Sequence, residues 1–579
     1  MQTFPQDPEN RVLAADAQRS QDFFADDAVL THLFKTRISL DGQAWMQPRW
    51  SQLGRELAGN MDALSLTADR RGPVLRSRNL YGESVDALEF HPAYQELLGI
   101  AVRSGMFQVK WEPVLRARFS GEGHRLGFSA GLLYAMGEAG LYCPLCMTDG
   151  VARIVDRFAA AEDRERLLPH IFTEDPASLY TGAMFLTEKS GGSDVGANRV
   201  RAVQAGSGAA GVGADGAAAD GSNGTWYQLY GEKWFCSNAN AELALALART
   251  DPAVLGTRGL SIFLLEQIGP DGKPNPRQVL RLKEKLGVRS MASAELLLTG
   301  TWGRRLGQEG QGFAIMAEMI NLSRLYNAVT AVALARRALR EAWFFLRHRK
   351  TFGRPALEHP LVRERLERLG AGWLGELQLC WRAIEALDAA DAGNSHEAAL
   401  ARLFTPMVKR SSAEFSVYAI RECMELMGGI GYIEDGVMPK MLRDANVLPI
   451  WEGAGNIMLL DMLRAFQKAA PAQGWRSVWQ QLLASADAPE SWQIKADTLL
   501  AQLEGLSALD REQVEYRSRA LLEALTELTQ AALILRSRDS QNAAWVDPAV
   551  AWYHRRITAT SGSAPLTVSE TEGLLGFLG

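Results

Sequence analysis

Three short stretches of this chain hold residue types that could do chemistry. In Trp451-Glu452-Gly453-Ala454-Gly455-Asn456 one carboxylate stands between an aromatic ring and small residues that let the backbone come close to a ligand. Pro449 and Ile450 on one side, and Ile457, Met458 and Leu459 on the other, would partly desolvate it and raise its pKa toward that of a useful general base. Taken alone, such a glutamate is normally a solvated charge. Thr187-Glu188-Lys189-Ser190-Gly191-Gly192-Ser193-Asp194 follows a predicted strand and offers hydroxyls and backbone N–H groups, the donors that hold a phosphate or the polar edge of a ring. The plainer reading is a polar turn. Lys233-Trp234-Phe235-Cys236-Ser237-Asn238 puts flat rings and a hydroxyl on a predicted strand, where they suit a cofactor wall or an ordinary core.

Larger elements must position these stretches. Apolar residues at three- and four-residue spacing through Phe23 to Phe34, Tyr94 to Val102 and Leu126 to Met136 predict a helical opening domain over residues 1–175. The short runs Leu179 to Leu186, Glu242 to Ala248 and Leu260 to Leu265, separated by Gly, Asn, Asp and Pro, predict a β domain over 176–305. Within it Gly206, Gly208 and Gly211 spell GxGxxG, but more Gly and Ala follow instead of an apolar helix, so the stretch to Gly224 reads as an inter-strand loop. Phe313 to Lys350 lacks both Gly and Pro, and Ile320, Val329, Val332, Leu339, Trp343 and Leu346 recur at helical intervals, which predicts one very long helix. Further helices over about Leu361 to Ala392, Ser395 to Met427 (kinked at Pro406) and from Gly455 complete a bundle over 306–470, and a helical extension follows over 471–579.

Composition bounds the function. The 579 residues, 47% hydrophobic and 22% charged, suffice for on the order of three or four domains, and the net charge of −5 gives no overall basic field for nucleic acid or anionic lipid. No apolar run is long enough to cross a membrane, and Asp7 and Glu9 before Arg11 do not make a signal peptide, so the expectation is a cytoplasmic protein without a membrane partner. Five cysteines do not make a disulfide framework, and the pair Cys143 and Cys146 has no second pair to complete a zinc site.

In order and spacing, the three chemical stretches resemble the acyl-CoA dehydrogenase flavoprotein family. Lys285-Leu286-Gly287-Val288-Arg289-Ser290, Gly307-Gln308-Glu309-Gly310-Gln311-Gly312-Phe313, Arg349-Lys350-Thr351-Phe352-Gly353, Gly428-Gly429-Ile430-Gly431-Tyr432 and Arg443-Asp444-Ala445 extend the likeness across roughly residues 90 to 465. The resemblance implies a multidomain α+β fold: an N-terminal α-helical domain, a middle β-barrel-like domain and a C-terminal four-helix bundle, here with the helical C-terminal extension. It also implies bound FAD, an acyl-CoA substrate, an electron-transferring flavoprotein as acceptor, and a homo-oligomer, tetramer or dimer. By the same likeness Glu452 is the catalytic base. Met184, Leu186, Thr187 and Ser193 form the turn at flavin and phosphates, and Trp234, Phe235, Cys236 and Ser237 the wall beside the flavin, with Trp234 one position early against the family's Lys-x-Trp-Ile-Thr. Arg349 and Phe352 would reach FAD from a neighbouring subunit, and Gly428, Gly429, Ile450, Trp451, Gly453 and Asn456 complete the cofactor-binding set.

Departures from the common pattern point to one branch. Trp451 and Ala454 replace Tyr and Thr around the base, Lys189 and Gly191 replace Pro and Ala in the phosphate turn, and Glu425 stands where Gln commonly precedes the Gly pair. These features, with Phe90-His91-Pro92-Ala93, Ala401-Arg402-Leu403-Phe404-Thr405-Pro406 and Asn456 to Arg464, look like the AidB branch, flavoproteins of the adaptive response to DNA alkylation. That likeness offers an alternative function, DNA binding by the extension with little dehydrogenase turnover, for which Arg464, Arg517 and Arg519 are the candidate contacts, with Arg536 and Arg538 nearby. Charge argues against it: residues 471–579 hold nine basic and thirteen acidic side chains, whereas phosphate binding needs clustered cations.

Overall fold

The computed structural model describes residues 20–205, 225–468, 470–559 and 566–577; Gly206, Gly208 and Gly211 lie outside the described residues. The chain packs as two compact units, each assembled from separated segments. One holds Met1–Asp62, Phe119–Gly137 and Asn327–Gly579, the other Ala63–Arg118 and Glu138–Tyr326. The N-terminal helices are therefore shared out between both units.

The second unit carries the β domain. The strands Arg201–Gln204, Trp226–Ser237, Ser293–Leu306, Leu260–Glu266 and Leu243–Arg249 pair in that order, and Leu243–Arg249 pairs back to Arg201–Gln204, closing a five-stranded barrel. Gly182–Phe185 adds to it beside Leu243–Arg249, in parallel, and Arg277–Leu282 adds beside Ser293–Leu306. The sequence Leu-Ala-Leu-Ala-Leu-Ala of residues 243–248 explains its place in the ring. Ala244, Ala246 and Ala248 belong to the barrel core, where small side chains fit a narrow interior, while Leu243, Leu245 and Leu247 are buried on the alternate positions. A two-stranded hairpin not expected from the sequence, Val74–Arg78 with Ser84–Glu89, brings Leu75 and Leu88 against this core. The helix Ala139–Phe158 backs the added strand: Thr148 Oγ1 accepts from the Gly182 N–H at 2.9 Å, and a Cβ at Gly182 would lie 2.6 Å from the Met147 carbonyl.

The first unit is helical. The long helix runs Gly312–His348, entering this unit at Asn327, and is followed by Pro360–Asp391, Ser395–Met427 and Gly455–Lys468. Arg336 and Arg337 on it are buried with partners. Arg336 makes a bidentate pair with Asp27 at 2.7 Å and lies over Trp373 and Phe577, and Arg337 pairs with Asp62 at 2.6 Å and Glu341 at 2.8 Å. The extension supplies Gly474–Ser485, Glu490–Gly505, Arg511–Arg536, Ala543–Thr558 and Val568–Leu575. Arg511–Arg536 packs on Pro360–Asp391 and Gly455–Lys468, so the extension is part of the bundle core. At its end Ala28 N–H donates to the Gly576 carbonyl at 3.0 Å, which ties the helix Val568–Leu575 to the helix Ala28–Arg37.

Candidate active site

The phosphate-type turn follows the strand Gly182–Phe185. Ala183 and Phe185 point into the barrel core, and Met184 and Leu186 fall on the other face, half-buried. The turn closes on itself through reciprocal backbone bonds between Glu188 and Gly191 at 3.0 and 3.1 Å. A Cβ at Gly191 would stand 2.4 Å from the Asp194 carbonyl and 2.5 Å from Asn198 Oδ1, so the turn has no room for the family's alanine. Gly192 and Ser193 are exposed, and among the described residues their amides have no hydrogen-bond partner. With the hydroxyls of Thr187 and Ser193 they offer the donors an oxyanion needs.

Beneath the turn lies a pair that the sequence did not single out. The Lys233 ammonium is 0% exposed and donates to Glu188 Oε1 at 2.7 Å and the Leu247 carbonyl at 2.8 Å. Glu188 also accepts the amides of Arg199 and Val200 at 2.5 and 3.2 Å. Burial pushes the Lys233 ammonium below its ordinary pKa, and Glu188 beside it pulls the other way. Asn238 joins the end of this strand to the start of the other, its Nδ2 donating to Thr181 Oγ1 and the Gly182 carbonyl.

The register of Trp226–Ser237 shifts between Lys233 and Cys236. Both of those side chains point inward, and the two aromatic residues between them do not. Phe235 is 53% exposed, and Ser237 lies 3.2 Å, Oγ to Oγ, from Ser293. Trp234 is covered by cations, with Lys283 Nζ 3.4 Å and Lys189 Nζ 4.7 Å from its ring centroid. Lys189, which replaces the family's proline, thus reaches over the ring and pairs with Glu232 at 2.6 Å. Cys236 requires a correction. Its thiol is fully buried in the barrel core and burial pushes it up to about 12, so its side chain cannot touch a ligand and only its backbone is left for that role.

The base loop belongs to the helical unit. Glu452 has φ 58 and Gly453 φ 100, a left-handed pair that turns the chain between the helices Met438–Ala445 and Gly455–Lys468. Three side chains hold this loop. Asn327 Nδ2 donates to the Leu448 carbonyl at 3.1 Å, Lys409 Nζ to the Gly453 carbonyl at 2.6 Å, and Arg519 Nη2 to Asn456 Oδ1 at 2.6 Å. Lys409 is 1% exposed. Its sequence signal is a polar stripe, Thr405, Lys409, Ser412 and Ser416, recurring at helical spacing and buried throughout. Ile450 is exposed, Trp451 half-buried.

Arg349 begins a tight hairpin in which Phe352 (φ 50) and Gly353 (φ 82) form the two-residue turn between Lys350–Thr351 and Arg354–Pro355. Phe352 is 98% exposed. Gly428 (φ 63) and Gly429 are exposed at the end of Ser395–Met427, with open space where a Cβ would stand. Glu425, in place of the family's glutamine, pairs with Arg365 at 2.8 Å and Arg421 at 2.6 Å, and the Arg365 hydrogen bond holds its carboxyl below the usual range. The candidate DNA contacts are dispersed among internal pairs. Arg519 is bound to Asn456, Arg464 is 4.0 Å from Asp461, Arg538 makes a bidentate pair with Asp547, and Arg517 is exposed without an ion pair among the described residues.

With a helical opening, a closed barrel, a helical bundle and this pair of loops, the chain has the architecture and motifs of one flavoprotein class, and comparison with known proteins agrees. Residues 310–467 match the family acyl-CoA dehydrogenase, C-terminal domain, and residues 183–301 its middle domain. Residues 14–175 match the adaptive response protein AidB N-terminal domain. Acyl-CoA dehydrogenase family member 11 of Caenorhabditis elegans is 31% identical over 76% of this chain and 70% of its own. AidB of Escherichia coli (strain K12) is 32% identical over 75% of this chain and 76% of its own. The crystal structure of Caenorhabditis elegans ACDH-11 in complex with C11-CoA superposes with TM-score 0.81 at 26% identity, covering 94% of this chain and 93% of that one. The chain belongs to the acyl-CoA dehydrogenase family. Within it, this is an AidB-like acyl-CoA dehydrogenase-type oxidoreductase.

Proposed function

We propose that this chain is an FAD-dependent acyl-CoA dehydrogenase in which Glu452 takes the α-proton of an acyl thioester. The observation that carries this is the base loop itself: a glutamate in the left-handed region, fixed before it by Asn327 at the Leu448 carbonyl and after it by Lys409 at the Gly453 carbonyl and Arg519 at Asn456. A non-glycine residue held in the left-handed region by its neighbours is the kind of strained backbone that clusters at active sites. FAD, when bound, supplies the hydride acceptor for the substrate's β-carbon. The residues present suit it. The unpartnered amides of Gly192 and Ser193 with the Thr187 hydroxyl suit its phosphates, and the exposed Phe235 ring with Met184 and Leu186 suits an apolar ring system. Phe352, at the tip of the hairpin that Arg349 begins, presents its ring outward, as contact with a neighbouring copy in a tetramer or dimer would require.

In this reading Glu452 receives the proton on a carboxylate oxygen while the loop keeps its position. An α-proton is weakly acidic in water, so the site must exclude water and polarise the thioester carbonyl. An acyl-CoA substrate is supported by the C11-CoA named in the worm relative's complex. An electron-transferring flavoprotein is proposed as the acceptor, and the five free buried thiols suit a reducing, cytoplasmic setting. The test is anaerobic addition of short, branched and C11 acyl-CoAs to the FAD-loaded protein. Bleaching of the flavin band is expected in the native protein and its loss in Glu452→Gln, with FAD retained. A flavin that no chain length bleaches would sink the reading.

A further inference from the structure

We propose that the cleft formed by Arg37, Arg382 and Arg536 is a binding site for a small oxyanion, a carboxylate or phosphate group. It lies wholly within the helical unit, and none of its own residues holds the base loop or belongs to the flavin and phosphate stretches described above. Arg37 ends the helix Ala28–Arg37, Arg382 lies on Pro360–Asp391, and Arg536 ends Arg511–Arg536 of the extension; Gln378, Trp381 and Glu385 share the lining.

The charges do not balance. Glu385 lies 3.5 Å from Arg37, and Glu397, at the rim, lies 2.8 Å from Arg382. Arg536 makes no hydrogen bond or ion pair among the described residues, so three guanidinium groups face two carboxylates. Arg536 is open to solvent, and partial burial first, then Arg382 and Arg37, push its guanidinium below its ordinary pKa. The helix ends do not make up the deficit. The Arg37 carbonyl already accepts from Arg125 Nη1 at 2.8 Å, and the Leu533 and Ile534 carbonyls accept from the Ser537 amide at 3.1 Å each. A second orphan sits in the wall: Trp381 is 2% exposed, and its indole N–H has no partner. One planar or tetrahedral oxyanion satisfies this arrangement, because a guanidinium fork binds two of its oxygens at once and a single negative charge restores neutrality.

The group could belong to a free small anion or to a nucleic-acid backbone, and the experiment separates them. The full-length protein is titrated with inorganic phosphate, with acetate and with a duplex oligonucleotide, at an ionic strength held constant with chloride, following heat of binding and Tm. Saturable binding of phosphate or acetate is expected, weakened about tenfold or more in Arg536→Gln and in Arg37→Gln. Arg538→Gln, whose residue pairs with Asp547 outside the cleft, should bind as the native protein does. Without anion, Arg536→Gln should melt no lower than the native protein, since it relieves like-charge repulsion, which guards against a folding artefact. Phosphate and acetate acting no differently from chloride would overturn the site, as would undiminished binding in Arg536→Gln. Binding of the duplex alone, uncontested by either small anion, would also overturn it.

Discussion

Lys233 and Glu188 show how one buried pair can support a surface turn. The lysine has no exposed atom, and its partner also carries two backbone amides of the chain that follows the turn. Lys233→Met would leave Glu188 ionised and buried without its counter-charge, an arrangement that costs about 3–5 kcal/mol. The expected outcome is a fall in unfolding free energy of that size together with loss of bound flavin, read by urea unfolding and by flavin content. The Lys233 position was legible from the family pattern. Its pairing with Glu188 was not, because the two lie 45 positions apart and only barrel closure brings them together. Glu376 is a second buried titratable residue, held by Ser411 Oγ at 2.7 Å and raised by burial from 4.5 to about 7. A carboxyl whose folded pKa lies above its unfolded value contributes stability fully present below 4.5 and lost as pH rises through about 7. Glu376→Gln should therefore gain on the native protein by about 3 kcal/mol between pH 4 and pH 8, measured by unfolding at the two pH values.

At the scale of elements, the base loop is held by helices of different origin. Lys409 comes from Ser395–Met427, inside the common flavoprotein bundle, and Arg519 from Arg511–Arg536, inside the extension that marks the branch. An arginine offered to DNA by its place in the sequence thus bonds Asn456. Arg519→Ala removes a half-exposed contact, so global stability should change by less than about 1 kcal/mol. The loop should nevertheless loosen, and flavin release from Arg519→Ala should be severalfold faster than from the native protein in a stopped-flow displacement assay. An unchanged release rate would make the contact incidental. The Trp226–Ser237 strand shows the limit of pattern reading. Strict alternation would put Trp234 and Phe235 on opposite faces, and the bulge between two inward residues sends both aromatic residues away from the core.

For the whole molecule, the exposed hairpin is the feature that a single copy does not explain. Phe352 holds a left-handed backbone, which costs a non-glycine residue about 1–2 kcal/mol, and presents its ring 98% to solvent. Phe352→Gly removes both the strain and the ring. The protomer's own stability should hold or rise by up to about 1 kcal/mol, while sedimentation should show a smaller assembly and flavin content should fall. An unchanged assembly with full flavin would refute the role proposed for the ring.

Much of this protein was determined by its sequence alone. The long helix, the bundle that follows it, the strand-and-turn character of the middle segment and the family motifs are local in the chain, set by periodicity, by Gly and Pro placement and by short runs of fixed order. What only the tertiary structure decided is non-local. Barrel closure through Leu243–Arg249 buries Cys236 and pairs Lys233 with Glu188. The packing of the extension into the bundle ties Arg519 to Asn456, and the meeting of three helices gathers Arg37, Arg382 and Arg536. Each depends on which faces meet after burial, and no spacing within one element specifies the partner of a face on another.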